Sequence, residues 1–292
     1  MYSLGVNRLG VTNTNSNNSV KSLFTAGEKG AWYDPSDLSS MFQNADKTVA
    51  AVIGQPVGYI TDKSGNVNHA VQSDVNKKPI LREDAVGSLY LEFDGSNDCL
   101  KVAGFDMTGT DEVTHFTGHK KVGTSNSILL ETSSDSSTLN GTFKINAPPT
   151  NTAQGYVFSA RGTSYKELQV VGYDEPLTAI TTYQCKISTP EQSVTINRNT
   201  AIENTGTMGT GDFDVKILNI GSRNNGTSLP FEGRIYSIII RGKLTTDAHV
   251  SNIESYVAQK TGIATQIDNI ATLNLNFEND NYQAYDRNGG VV

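Results

Sequence analysis

Twelve short segments, spaced about every ten to fifteen residues, restrict what this chain can fold into. They run from GYIT at 58–61 through LYLEF, CLKVAGF, VTHFTGHKKV, SILLET, GTFKINA, GYVFSAR, ELQVVGY, TTYQCKIS, SVTINRN and DVKILNIG to GRIYSIIIRG at 233–242. Most are rich in β-branched or aromatic residues and end at Gly, Asn, Asp, Ser or Pro, which is how strands and their turns read in sequence. Several alternate. In YQCKIS, Tyr183, Cys185 and Ile187 fall on one face and Gln184, Lys186 and Ser188 on the other. A dozen such segments with a single convincing helix predict an all-β, two-sheet antiparallel sandwich. GRIYSIIIRG is apolar on both faces and predicts a central strand covered on both sides, with Ile235, Ser237 and Ile239 on one face and Tyr236, Ile238 and Ile240 on the other.

Composition agrees. The 292 residues are 36% hydrophobic and 18% charged, with 27 Gly and abundant Ser, Thr and Asn, a turn-rich texture. The net charge of −7, with no basic cluster longer than a pair, argues against a nucleic-acid partner. The two cysteines, Cys99 and Cys185, lie in apolar strand-like runs and read as buried thiols rather than a disulfide framework. No apolar run approaches the ~20 residues of a membrane span, and the N-terminus has no signal-peptide pattern, so synthesis in a cytoplasm is expected.

The chain divides into three parts. Residues 1–22 read as an arm or linker, because TNTNSNNS offers little apolar surface to bury. Residues 23–262 form the domain. Early in it, Ser36 or Asp37 is placed to cap a helical turn carrying Leu38, Met41 and Phe42. Late in it, Val250, Ile253 and Val257 make one apolar stripe, Thr245 or Thr246 can cap its start, Asp247 suits the first turn, and Lys260 and Gly262 mark the end. That helix should lie on the sandwich. Residues 263–292 read as an extension in which Leu273, Leu275 and Phe277 alternate with Asn, one strand that needs a partner in its own or another chain.

The segment YLEFDGSNDCLKV at 90–102 carries the densest acidic knot. As a turn, Asp94 makes an Asx-turn, Gly95 supplies a positive φ, and Asn97 and Asp98 close it before Leu100 resumes the strand. As a metal site, Asp94, Asn97 and Asp98 offer clustered oxygens for Ca²⁺, but the full calcium loop with its terminal bidentate Glu is absent. The turn is the preferred reading, and neither a metal nor a cofactor is expected. Trp32 and Tyr33 could stack on a sugar, although a lone Trp beside YDPSD is more often a packing residue. His69 lies in a turn-like DKSGNVNHA, and His115 and His119 in THFTGH read as packing or solvated residues rather than metal ligands.

GYITDKSGNVNHAVQ, YLEFDGSNDCLKV and ILNIGSRNNGTSLPFEGRIYSIIIRGKLTTDAHVSNIESYVAQKTG, in that order, resemble the laminin-G-like, concanavalin A-like jelly-roll family. GAWYDPSDLSSMFQ followed by GQPVGYITDKSGN is similar to a subgroup found among structural proteins of tailed phages and prophages. The resemblance covers residues 23–262. It implies a jelly roll with the FDGSND segment as a turn and Phe93 pointing into the core. Glycanases on this fold use Glu-x-Asp-x-x-Glu along one strand, and here EFDGSN places Asn97 where the second Glu belongs, so that site lacks its proton shuttle. Glu131 and Asp135 in LLETSSD remain as a less favoured carboxylate pair for a depolymerase. The expectation is therefore a non-enzymatic virion protein made in the bacterial host cytoplasm: a capsid decoration, collar, or tail or fibre component, homo-oligomeric and bound to other virion proteins. The alternative is a carbohydrate-binding module that recognises a host-surface glycan.

Overall fold

The computed structural model describes residues 19–149 and 155–263. The expected strand at Leu273–Phe277 and most of both terminal segments lie outside the described residues. In chain order the strands are β1 (Gly30–Tyr33), β2 (Met41–Phe42), β3 (Tyr59–Ile60), β4 (Ala70–Val71), β5 (Ile80–Glu83) and β6 (Leu89–Asp94). Next come β7 (Leu100–Asp106), β8 (Glu112–Lys121), β9 (Ser127–Thr132), β10 (Thr142–Ala147), β11 (Tyr156–Arg161) and β12 (Tyr165–Val170). The last are β13 (Leu177–Lys186), β14 (Glu191–Ile196), β15 (Ile202–Asn204), β16 (Val215–Ile220) and β17 (Glu232–Arg241), followed by helix α1 (Asp247–Thr261).

Two antiparallel sheets result. Sheet A runs β15-β14-β13-β8-β17-β6-β5, with β1 beside the second half of β17; sheet B runs β12-β11-β10-β9-β16-β7-β4-β3-β2. The main core lies between them. Leu91, Phe93, Phe105, Val113, Phe143, Ile145, Phe158 and Tyr183 are each at most 3% exposed there. Both thiols are buried and unpaired with one another, with Cys185 in the core on the face predicted for it.

A second apolar layer joins sheet A to α1. Ile253, Tyr256 and Val257 pack on Trp32, Phe116, Ile180 and Ile239. Each buried side chain of this size contributes roughly 1.5–3 kcal/mol. Thr246 precedes the helix without a side-chain cap, Asp247 sits in the first turn, and Gly262 ends it in the left-handed region at φ 69°. Tyr256 donates its hydroxyl to the buried Asp34 carboxylate at 2.8 Å, and Lys63 and Lys260 flank the same group. Burial pushes the Asp34 pKa up, but the two ammonium groups outweigh it and hold the carboxyl below its ordinary value. The helical turn at residues 19–22, at the end of the segment read as an arm, brings Val20 and Leu23 into this layer, so packed chain begins no later than residue 19.

Two local expectations are corrected. The turn after Asp37 forms as a three-residue 3-10 helix, Leu38–Ser40, but Leu38 is exposed and Met41 and Phe42 leave it as β2. In β17 the strict alternation breaks: a register shift between Ile235 and Ser237 turns Ile235 into the main core with Ile238 and Ile240, while Ile239 faces α1. One extra residue reverses the facing of everything before it.

Candidate functional site

The acidic knot at 94–98 is a turn. Asp94 Oδ1 accepts from the backbone N–H of Ser96 at 2.8 Å and Asn97 at 3.2 Å, and Asp98 Oδ2 accepts from the Asp94 N–H at 3.0 Å. Gly95 sits at φ 73°, where a Cβ would also strike the Glu232 side chain. Phe93 points into the core against Phe231. Burial, reinforced by the charge of Asp94, pushes the Asp98 carboxyl up to about 7. Among the described residues no group of three or more His, Cys, Asp or Glu side chains is placed to share a metal.

Trp32 and Tyr33 are 3% and 2% exposed, so neither offers a ring to a sugar. Trp32 packs edge-on to Tyr256 with the Lys63 ammonium over its face, and Tyr33 donates to the Asn68 carbonyl at 2.5 Å from within the core. That corrects the stacking reading. His69 accepts the Asp62 N–H in its turn. His115 and His119 lie on one face of β8, about 13 Å apart at strand spacing, too far to share an ion.

The polar chemistry gathers on the outward face of sheet B. Register sets Glu167 of β12 opposite Ser159 of β11, Ser159 opposite Lys144 of β10, Lys144 opposite Glu131 of β9, and Glu131 opposite Asn219 of β16. Directly opposed side chains share a face, so these five form one row across the sheet. Glu131 is fully buried, and Arg223 grips both its oxygens at 2.8 and 2.9 Å while the Ser136 N–H donates to one of them. Asp135 touches the same guanidinium at 3.5 Å; its hydrogen bonds from Ser137 hold it below the usual carboxylate range. The pair raised from LLETSSD is thus spent on one arginine.

Lys144 is the unusual member of the row. It is 8% exposed, and its ammonium lies 5.6 Å from the centre of the Tyr165 ring. Burial lowers its pKa, against the pull of Glu131. Beside it Ser159 Oγ is buried near the Tyr165 hydroxyl, and Asn146 Oδ1 is buried with no partner. Tyr165 donates to Glu167 at 2.9 Å. Glu167 then lines a cleft of about 180 Å³ with Asn126, Val157 and Gln169. Buried polar atoms without partners are uncommon in native proteins, and two on one face beside a cleft mark a place where something else completes the bonding. Of this row, sequence reading raised only Glu131 and missed Lys144 and the rest. Its local signal was GTFKINA, where Lys144 alternates with Phe143 and Ile145 and so had to lie on the far side of a core strand.

No protein-family model matches the chain, and no curated protein matches it in sequence. Solved structures do match in shape. Domain 4 of a GH43 extracellular arabinanase from Geobacillus stearothermophilus, determined with arabinotriose, superposes with TM-score 0.50 at 14% identity over 78% of this chain and 98% of that one. A GH54 α-L-arabinofuranosidase gives 0.54 at 11% identity, over 83% of this chain and 65% of that one. The binding domain of botulinum neurotoxin DC, determined with rat synaptotagmin II, gives 0.51 at 11% identity, over 68% and 49%. What they share is the fold. This chain is a two-sheet antiparallel β-sandwich, and it spans only about two thirds and one half of the second and third of these proteins. No helix among the described residues is long and apolar enough to cross a membrane.

Proposed function

We propose that this protein is a non-enzymatic carbohydrate-binding module that takes a saccharide on the outward face of β10, β11 and β12. The observation that carries the reading is the pair of buried, unpartnered atoms there, Ser159 Oγ and Asn146 Oδ1, beside the Lys144 ammonium, Tyr165 and the cleft at Glu167. Sugar hydroxyls both donate and accept, so one ring can satisfy an ammonium, a hydroxyl and an amide oxygen together. Tyr165 supplies an amphipathic aromatic wall of the kind that sugars pack against. The non-enzymatic reading rests on Glu131, which is the carboxylate best placed on this face and is locked by Arg223 rather than paired with a second carboxyl for acid–base work. The ordered motifs at 23–262 support a setting on a phage particle, with the module as a receptor-recognition or decoration component in a homo-oligomer. A glycan array probed with the purified protein tests the reading: saturable binding of a defined glycan, lost in Tyr165→Ala, is expected. Binding to no glycan, or binding indifferent to Tyr165→Ala in a variant that melts normally, overturns it.

A further inference from the structure

Lys144 of β10 and Glu131 of β9 stand directly opposite one another on the outward face of sheet B. A lysine and a glutamate so placed ordinarily attract each other across the strands and close into an ion pair. Here they do not. Glu131 Oε2 accepts from Arg223 Nε at 2.8 Å, and Oε1 accepts from Arg223 Nη2 and from the Ser136 N–H, both at 2.9 Å. Among the described residues the salt bridge of Glu131 is with Arg223, and none joins it to Lys144.

The reason lies in how Arg223 is held. It sits between β16 and β17, and the next two residues, Asn224 and Asn225, take positive φ of 50° and 54°, a region Asn enters more readily than most. The Arg223 N–H donates to the Ser228 carbonyl at 2.9 Å and closes the loop. Asn219, opposite Glu131 in the row and 2% exposed, accepts the Asn225 N–H at 3.1 Å and donates to the Ser133 carbonyl at 3.0 Å. That ties the loop to the segment leaving β9. The guanidinium therefore meets Glu131 as a planar two-pronged donor on a fixed base, whereas lysine brings a point charge on a flexible stem. Lys144 is left among charges without a partner of its own: Glu131, Glu167 and Asp135 attract its ammonium, Arg223 repels it, and Tyr165 lies beside it.

We infer that Arg223 is a positioning residue for the saccharide face: by occupying both Glu131 oxygens it denies them to Lys144 and keeps that ammonium available to a ligand. Arg223 acts through Glu131 and need not touch the sugar. The consequence for binding rests on the saccharide reading, but the contest for Glu131 can be measured with no sugar present.

The test compares the full chain with Arg223→Lys and with Arg223→Lys plus Glu131→Gln. Arg223→Lys is preferred to Arg223→Ala because it leaves a cation beside the buried Glu131 and keeps the local charge while removing the fork, so that one oxygen falls open to Lys144. Each protein is acetylated with trace acetic anhydride at about pH 8, and the label on Lys144 is measured by peptide mass spectrometry against the exposed Lys243. Pairing with a carboxylate raises the pKa of an amine, and each step of one cuts its reactive fraction about tenfold. Labelling of Lys144 should fall about fivefold or more in Arg223→Lys and return to within about twofold of wild type when Glu131→Gln is added. Unchanged labelling in Arg223→Lys overturns the inference, as does a loss that Glu131→Gln does not restore. So does a Lys144 that stays unlabelled in the wild type, since an amine closed to acetic anhydride is closed to a sugar. On a printed glycan panel the same order of binding is expected, and undiminished binding by Arg223→Lys overturns the inference whatever the labelling gives. A panel on which the wild type binds nothing defeats the saccharide reading instead, and the labelling then decides the hold of Arg223 on Glu131 by itself.

Discussion

Acid should loosen this sandwich from its centre, and His115 gives the effect a magnitude. The ring is fully buried between the sheets, stacked 4.9 Å from Tyr183 and near Phe143 and Phe158, and neither ring nitrogen has a partner. Burial pulls its pKa from 6.5 to about 3. His119, bonded to the Tyr156 hydroxyl at 2.7 Å, is drawn to about 3 by burial and by the charge of Lys121. Between pH 6.5 and 3 the unfolded chain binds protons that the folded chain refuses, so stability falls as pH falls through that window. Each titration is worth about 1.4 kcal/mol per pH step of one, so going from pH 6.5 to 5 costs roughly 2 kcal/mol per histidine and roughly 4 kcal/mol for both. That is a large part of the 5–15 kcal/mol typical of a whole domain. Urea unfolding followed by the fluorescence of Trp32, the single tryptophan, measures it directly at pH 7, 6 and 5. His115→Phe keeps an aromatic in the stack and should lose about half of the acid sensitivity. An unchanged dependence on pH in that variant would refute the reasoning.

Three further expectations concern stability. Ile238, 2% exposed in β17, should not tolerate Asp: an unpaired charge in the core costs more than about 4 kcal/mol, and Ile238→Asp should fail to give soluble protein, whereas normal expression and melting would show the strand is not central. Arg223→Ala strands the Glu131 carboxylate and should cost about 3 kcal/mol in chemical denaturation; a loss below about 1 kcal/mol would mean the pair is not closed to water. Asp98 has its folded pKa raised to about 7 from 3.8, so it costs stability increasingly as pH rises between those values. Screening through the exposed Asp94 leaves about 2 kcal/mol of that cost, so Asp98→Asn should gain about that much at pH 8 and little at pH 4, and an equal gain at both would contradict the titration.

Features set by neighbouring residues were legible in the sequence, and features set by register were not. YQCKIS alternates because one face is core and the other is wet, and the burial of Tyr183, Cys185 and Ile187 follows it. Helix α1 could be bounded because Asp247, Lys260 and Gly262 act within a turn of its ends. Gly30–Tyr33 is buried along its whole length, so it shows no alternation, and the strand went unread although Trp32 was weighed chiefly as a packing residue. The extra residue in β17 leaves no mark on GRIYSIIIRG, where every candidate for either face is apolar or small. At the site, Glu131 was visible as a carboxylate, but its partner Arg223 lies 92 residues away. Ser159 and Asn146 are ordinary polar residues until strand pairing places them beside Lys144.

Hydrogen–deuterium exchange of the full chain, with and without the tightest glycan from the array at saturation, tests the saccharide face most directly. The account predicts new protection in β10, β11 and β12, centred on Lys144, Ser159 and Tyr165, with the turn at Asp94–Asp98 unchanged. Protection confined to that turn, or to any surface other than the outward face of sheet B, would contradict it.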